Sequence, residues 1–274
     1  MSDRTHALVE KYRVKPGKTV KLKDFDPRDK SGLGDEDLTK AETAELARDI
    51  DALQDRLYAE GARSLLVILQ GTDTAGKDGT IRGVFNETGP IGVSVTAFRA
   101  PTEAELAHDY LWRAHLAAPK RGMIGIFNRS HYEDVLVGKV RELATKKAIE
   151  QRYEQINAFE RMLTDNGTVI LKFMLHISKD EQKERLQERL DDPKKHWKFN
   201  PGDLEDRKRW DDFQEAYEIM LNRCSTDWAP WYVIPADRKW VRNAIIARIV
   251  KATLEDMDPK YPKQSWDPKD FTVD

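Results

Sequence analysis

Gly71-Thr72-Asp73-Thr74-Ala75-Gly76-Lys77 has the spacing GxxxxGK, the pattern of a loop that cradles phosphate. Its glycines let the backbone turn so that successive N–H groups converge on phosphate oxygens. A helix opening at the end of the loop adds the positive end of its dipole, and Lys77 adds a full charge. The phosphate-binding candidates are Gly71, Thr74, Ala75, Gly76, Lys77, Asp78, Gly79 and Thr80. The alternative is a glycine turn that binds nothing. The apolar run SLLVILQ before it and the lysine in register argue against that.

Two acids depart from the usual pattern. Asp78 stands where such loops commonly carry a Ser or Thr that ligates Mg²⁺, and Asp73 lies inside the loop. An acid beside bound phosphate is costly unless a cation lies between them. Asp73 is therefore either a metal ligand, the favoured reading, or a group held away from the phosphates.

A second cluster follows the apolar stretch GMIGIF, where Asn128 and Arg129 end a strand and Glu133 and Asp134 come soon after. Phosphoryl-transfer loops often pair with an acid at such a strand end. Here the strand ends in an amide, so Glu133 or Asp134 is a candidate for the missing carboxylate. Arg129 points toward the crevice where ligands of such sheets bind. The plainer readings are a surface arginine and a solvated acidic face.

Arg185, Arg189, Lys194, Lys195 and Lys198 form a third cluster. Arg185 and Arg189 are four apart and share a helix face, and Asp192-Pro193 ends that helix. A basic loop that closes over phosphates is one reading. An exposed helix laced by Glu184 and Glu188 is the other. His115, His131 and His196 lie near basic residues and are second choices for phosphate contact. The single cysteine, Cys224, is remote from these motifs and reads as structural.

The elements that must hold these residues alternate. Strands are expected at SLLVILQ, GVSVTAF, GMIGIF, TVILKFMLHI and WYVI. Helices are expected from Thr39 to Gly61, through ELAHDYLWRAHL, RYEQINAFERML and KDEQKERLQERL, in one long stretch after Asp203, and over KWVRNAIIARIVKATLEDM. Thr39 with Glu42, Thr102 with Glu105 and Ser178 with Glu181 read as capping boxes. Short apolar strands alternating with helices predict an α/β fold with a mostly parallel five-stranded sheet covered on both faces. Residues 1–37 read as an irregular N-terminal arm, 38–258 as the main domain with a mobile basic segment at about 179–210, and 259–274 as a loosely held tail.

The 46 basic and 48 acidic side chains nearly cancel, so the formal net charge is only -2. That excludes the global basic excess of a nucleic-acid binder, and an anionic substrate needs a local basic site instead. No run approaches the ~18 apolar residues of a membrane span. One cysteine permits no intrachain disulfide, and the N-terminus lacks an apolar leader, so a cytoplasmic location is expected.

The chain resembles the family-2 polyphosphate kinases from about residue 10 to residue 257. The resemblance rests on GTDTAGKDGTI, PTEAELAHDYLWR, FNRSHYEDVL, ERMLTDNGTVILKFMLHISKDEQKERLQERLDDPKKHWKF, GDLEDRKRW and APWYVIPA, six motifs in order. It implies a thymidylate-kinase-like P-loop kinase fold, three-layered, with a helical lid. It implies direct in-line, Mg²⁺-dependent phosphoryl transfer between inorganic polyphosphate and adenine nucleotides, by a dimer or tetramer. On that resemblance Asp73 is the metal-associated acid of the loop and Lys77 its phosphate-binding lysine. Arg129 is the arginine after the third strand, Arg113 belongs to the intervening helix, and Arg185, Arg189 and Lys198 belong to the lid. NRSHYE departs from the commoner DRSWYN and resembles the class that phosphorylates both AMP and ADP. The departure leaves Glu133 as the candidate second metal ligand. The readings set against this one are an ATP-dependent nucleoside monophosphate kinase and a non-catalytic nucleotide-binding module.

Overall fold

A computed structural model describes residues 3–273; Met1, Ser2 and Asp274, the outermost residues of the expected arm and tail, lie outside the described residues. Helix α1 (Asp3–Tyr12) precedes α2 (Glu36–Glu60), β1 (Ser64–Gln70), α3 (Lys77–Val84) and β2 (Val93–Ala97). Two short helices, α4 (Glu103–Leu106) and α5 (Trp112–Ala117), lead to β3 (Ile124–Asn128), followed by α6 (Val137–Val140), α7 (Lys146–Asp165) and β4 (Thr168–His176). Then come α8 (Lys179–Asp191), α9 (Pro201–Lys208), α10 (Trp210–Cys224), β5 (Trp231–Pro235) and α11 (Lys239–Met257).

The five strands form one parallel sheet in the order β2-β3-β1-β4-β5. Helices cover both faces, as the buried strands β1, β3, β4 and β5 require. Leu65, Val67 and Leu69 of β1 pack into a core with α2 and α11, while Leu66 and Ile68 pack into a second core with α7 and α10. This is the three-layer α/β fold expected from the alternation of strands and helices. The register sets Leu69 opposite Asn128. The glycine loop after β1 and the Asn128-Arg129 corner after β3 therefore emerge side by side.

Several boundaries differ from expectation. Helix α2 starts at Glu36 because Asp35, not Thr39, is its cap, accepting from the N–H groups of Asp37 and Leu38. The Thr39 hydroxyl instead donates to the Asp35 carbonyl. The helix expected through ELAHDYLWRAHL is split into α4 and α5. Asp109 interrupts it by accepting from the N–H of Leu111. The long helix after Asp203 is broken at Arg209 into α9 and α10. Ser178 caps α8, but Glu181 turns away to Arg185, so that capping box is only half formed. The segment expected to be an irregular arm contains α1, and Leu8, Tyr12, Val14 and Leu22 are buried against the body. Arg13 bridges Tyr232 and covers the free edge of β5.

Candidate active site

Local backbone explains why the loop needs its glycines. Gly71 has φ +156°, and a Cβ there would stand 2.8 Å from the Leu175 carbonyl oxygen. Gly76 has φ +102°, with the Arg242 guanidinium pressed against it. Thr74 (φ 66°) and Arg129 (φ 60°) adopt the same left-handed region without being glycine, a strained conformation that clusters at functional sites.

Lys77 is buried, and its Nζ donates to the carbonyls of Gly71 (2.7 Å) and Thr72 (3.2 Å). Burial, and then the charge of Arg129, push it down to about 8. Arg129 holds two carboxylates. One guanidinium nitrogen donates to Asp73 and the other to Glu133 at 3.0 Å. Burial pushes the Asp73 carboxyl up, but Arg129, Lys77 and Arg189 outweigh it and hold it below the usual range. Gln70, with its amide nitrogen toward Glu133, donates to that carboxylate at 3.0 Å and accepts from Ser130. Asn128 donates to Asp78 at 2.5 Å.

Two cavities meet here. The first, about 540 Å³, is lined by Asp73, Thr74, Gly76, Lys77, Asp78 and Gly79 on one wall and by Asn128, Arg129, Arg185, Arg189 and Lys198 on the others. The second, about 610 Å³, is more apolar and holds Phe98, Pro101, Leu106, Arg113, Glu133 and Asp134. Asp73, Phe98, Arg99, Arg129, Asn200 and Asp203 line both.

The family model described as Polyphosphate kinase 2 matches residues 34–262. The chain belongs to the polyphosphate kinase 2 family. It is 54% identical over 256 residues to the AMP/ADP-polyphosphate phosphotransferase of Meiothermus ruber, covering 93% of this chain and 96% of that one. It is 42% identical to the ADP-polyphosphate phosphotransferase of Rhodopseudomonas palustris, over 77% of each chain. The crystal structure of polyphosphate kinase 2 from Arthrobacter aurescens superposes with a TM-score of 0.92 at 43% identity, covering 96% of this chain and 94% of that one. The P-loop kinase fold and the class of enzyme, a phosphotransferase, accord with this membership.

Within this polyphosphate kinase 2 fold the candidates divide. Ala75 and Thr80 are wholly buried and line neither cavity; the Thr80 hydroxyl donates to the Gly76 carbonyl, and their N–H groups donate to the carbonyls of Thr72 and Gly76. Arg113 and Glu133 line the second cavity and not the first. Arg113 donates to the Arg99 carbonyl at 2.8 Å and stacks over Phe98. Arg185, grouped with the exposed basic residues by sequence, is buried and engaged. It donates to the carbonyls of Thr74 (2.9 Å), Ala236 (2.7 Å) and Asp237 (2.8 Å) and to Glu181 (2.7 Å). Arg189 bonds the Lys198 carbonyl and Asp203, both at 3.1 Å.

The histidines join neither cavity. His131 is wholly buried beside Glu160, and His196 bonds the Leu190 carbonyl. Cys224 is buried, its thiol pushed up to about 12 by burial, and its carbonyl accepts from Lys172.

Sequence reading passed over Asp203, Lys239 and Arg242, all of which line the first cavity. Burial, and then the charge of Asp73, push the Asp203 carboxyl up to about 6. The available signal for Arg242 was a charge inside the apolar run WVRNAIIARIV, which it shares with Arg248.

Proposed function

We propose that this chain transfers phosphoryl groups from inorganic polyphosphate to AMP and ADP. The observation that carries the reading is the meeting of the two cavities at Asp73 and Arg129, one walled by the glycine loop and cations, the other more apolar. Polyphosphate suits the first and the nucleotide the second, which brings donor and acceptor phosphates together over Lys77. The relatives' names support that pairing of substrates.

The donor set suits Mg²⁺. Asp73 and Glu133 offer hard oxygen ligands, and this ion is commonly held by one or two carboxylates together with substrate phosphates. Among the described residues no three carboxylate, histidine or cysteine side chains converge as a preformed metal cage, in keeping with an ion that arrives with phosphate. Asp73 would hold it, with Glu133 as the second candidate. When bound it would neutralise charge on the phosphate oxygens. The chain's own part is positioning. The loop amides and Lys77 hold the phosphates, and Arg129 offsets charge that develops during a direct in-line transfer. Phe98 and Leu106 exclude water from the nucleotide. On this reading residues 38–258 form the phosphotransferase domain, with 179–210 as its lid. It works in the cytoplasm as a homo-oligomer, a dimer or tetramer, without nucleic-acid or membrane partners. Among the described residues no helix is long and apolar enough to cross a membrane.

The test is incubation with AMP, Mg²⁺ and polyphosphate in the absence of ATP, with products separated by chromatography. ADP and then ATP should form. Product only when ATP is supplied would make the chain a nucleoside monophosphate kinase, and binding without turnover would make it a binding module.

A further inference from the structure

Arg242 is 2% exposed, yet it lines the first cavity. Among the described residues no carboxylate comes within 4.0 Å of its guanidinium. The other buried or half-buried arginines of the cavity differ, and Arg99, also without a carboxylate partner among the described residues, is exposed. Arg129 is paired with Asp73 and Glu133, Arg185 with Glu181, and Arg189 with Asp203. Arg242 makes three hydrogen bonds, two to Asn243 Oδ1 (3.1 and 2.9 Å) and one to the Ala75 carbonyl (3.3 Å). A guanidinium has five N–H donors, so two remain unspent.

Its surroundings worsen the imbalance. Burial, and then Arg185, a charge of the same sign, push Arg242 down to about 9. A buried charge is costly unless it is paired. The group is also pinned against the loop. A Cβ at Gly76 would lie 1.9 Å from Nη1, and one at Gly79 would lie 3.1 Å from Nη2. The cation is thus held at the loop backbone with spare donors and no anion. Lys239, exposed and three residues earlier, shares that face of α11 and lines the same cavity. Neither residue lines the second cavity.

We propose that Arg242, assisted by Lys239, is a ligand for the phosphates of the donor polyphosphate, contacting them from α11 beneath the glycine loop, away from the nucleotide. The assignment rests on the reading of the first cavity as the polyphosphate site. The missing counter-charge is then supplied by the substrate. The ligand-free protein carries the cost of the unpaired cation, and binding relieves it.

Arg242→Met keeps most of the volume and removes the charge. Two measurements on the full chain without metal test the assignment: calorimetric binding of tripolyphosphate and of AMP, and thermal unfolding with and without tripolyphosphate. The dissociation constant for tripolyphosphate should rise at least about tenfold, as truncating a desolvated charge contact does, while that for AMP stays unchanged. The ligand-free midpoint should not fall, and the rise produced by tripolyphosphate should shrink. Lys239→Gln, at an exposed position, should weaken tripolyphosphate by a smaller factor and leave the ligand-free midpoint alone. A lower ligand-free midpoint or failure to fold in Arg242→Met, with tripolyphosphate binding intact in Lys239→Gln, would make Arg242 a structural prop and overturn the assignment. Unchanged tripolyphosphate affinity in Arg242→Met would overturn it as well. Absence of tripolyphosphate binding by the wild type would overturn the polyphosphate reading itself, and this one with it.

Discussion

Burial and the neighbouring Arg129 push Lys77 down to about 8, so its charged fraction in the ligand-free protein falls as pH rises through that value. Tripolyphosphate affinity should weaken from about pH 7 to about pH 9. Lys77→Arg should lessen that dependence between about pH 7 and pH 8, as binding titrations across the range would show. The sign for stability is opposite. Between about 8 and the ordinary 10.5 the native lysine binds fewer protons than the unfolded one, so the penalty of burying it fades as pH rises. Lys77→Ala should lower kcat by about 10²–10³-fold, the scale for removing one group that stabilises transition-state charge. Its circular dichroism should match the wild type. Glu133 lines the second cavity and holds Arg129. AMP and ADP present their terminal phosphates at different depths, so Glu133→Asn should reduce AMP phosphorylation more than ADP phosphorylation and raise the Mg²⁺ needed for half-maximal rate. Parallel rates on both acceptors through a Mg²⁺ titration decide it, and equal losses with unchanged Mg²⁺ demand would return Glu133 to a merely acidic turn.

At the scale of elements, α8 and the turn after it carry basic residues with two different jobs. Arg185 ties α8 to the glycine loop and to the end of β5 through three backbone carbonyls. Arg185→Gln leaves those carbonyls short of donors and should lower stability by about 1–3 kcal/mol, seen as an earlier denaturant midpoint. Lys198 rests over Trp197 and lines the cavity without an ion pair among the described residues. Lys198→Gln should leave the unfolding midpoint unchanged, raise the KM for polyphosphate, and flatten the fall of affinity with added salt. Sequence spacing placed both residues on one basic segment. Which of them is spent on carbonyls depends on where α8 docks.

The whole molecule places a buried ionic network behind the site. Lys172 on β4 is fully buried and donates to Glu160 on α7 (2.5 Å), to the Tyr132 hydroxyl (2.9 Å) and to the Cys224 carbonyl (2.7 Å). Tyr132 also donates to Glu160 at 2.8 Å, so the turn that carries Glu133 is anchored to the core. Removing one partner of such a pair leaves the other charge unpaired, and Glu160→Gln should cost about 3–5 kcal/mol, measured by equilibrium denaturation. Burial pushes the Glu160 carboxyl up, but Lys172 and His131 outweigh it and hold it below the ordinary 4.5. Its contribution is therefore complete above that value and is lost as pH falls through the lower native one.

The glycine loop, the alternation of strands and helices, and the ends of β1 and α11 were legible in the sequence because each is a local pattern. Apolar runs of strand length, a glycine spacing and a left-handed stop at Gly61 declare themselves within a few residues. The caps at Asp35 and Asp109 were missed because neighbouring polar residues compete for the same N–H groups, and the winner is set by how the chain approaches. The arm looked irregular because α1 has no long apolar period of its own; Leu8 and Tyr12 are buried only because the body offers them a surface. The site divides in the same way. The resemblance marked out Asp73, Lys77 and Arg129, which sit on motifs. Only tertiary structure turned Arg185 inward, split Arg113 and Glu133 from the cavity of the glycine loop, and brought Arg242 across 166 positions to Gly76. Contacts between residues distant in sequence are decided by packing, and neither spacing nor composition encodes which buried cation is left without an anion.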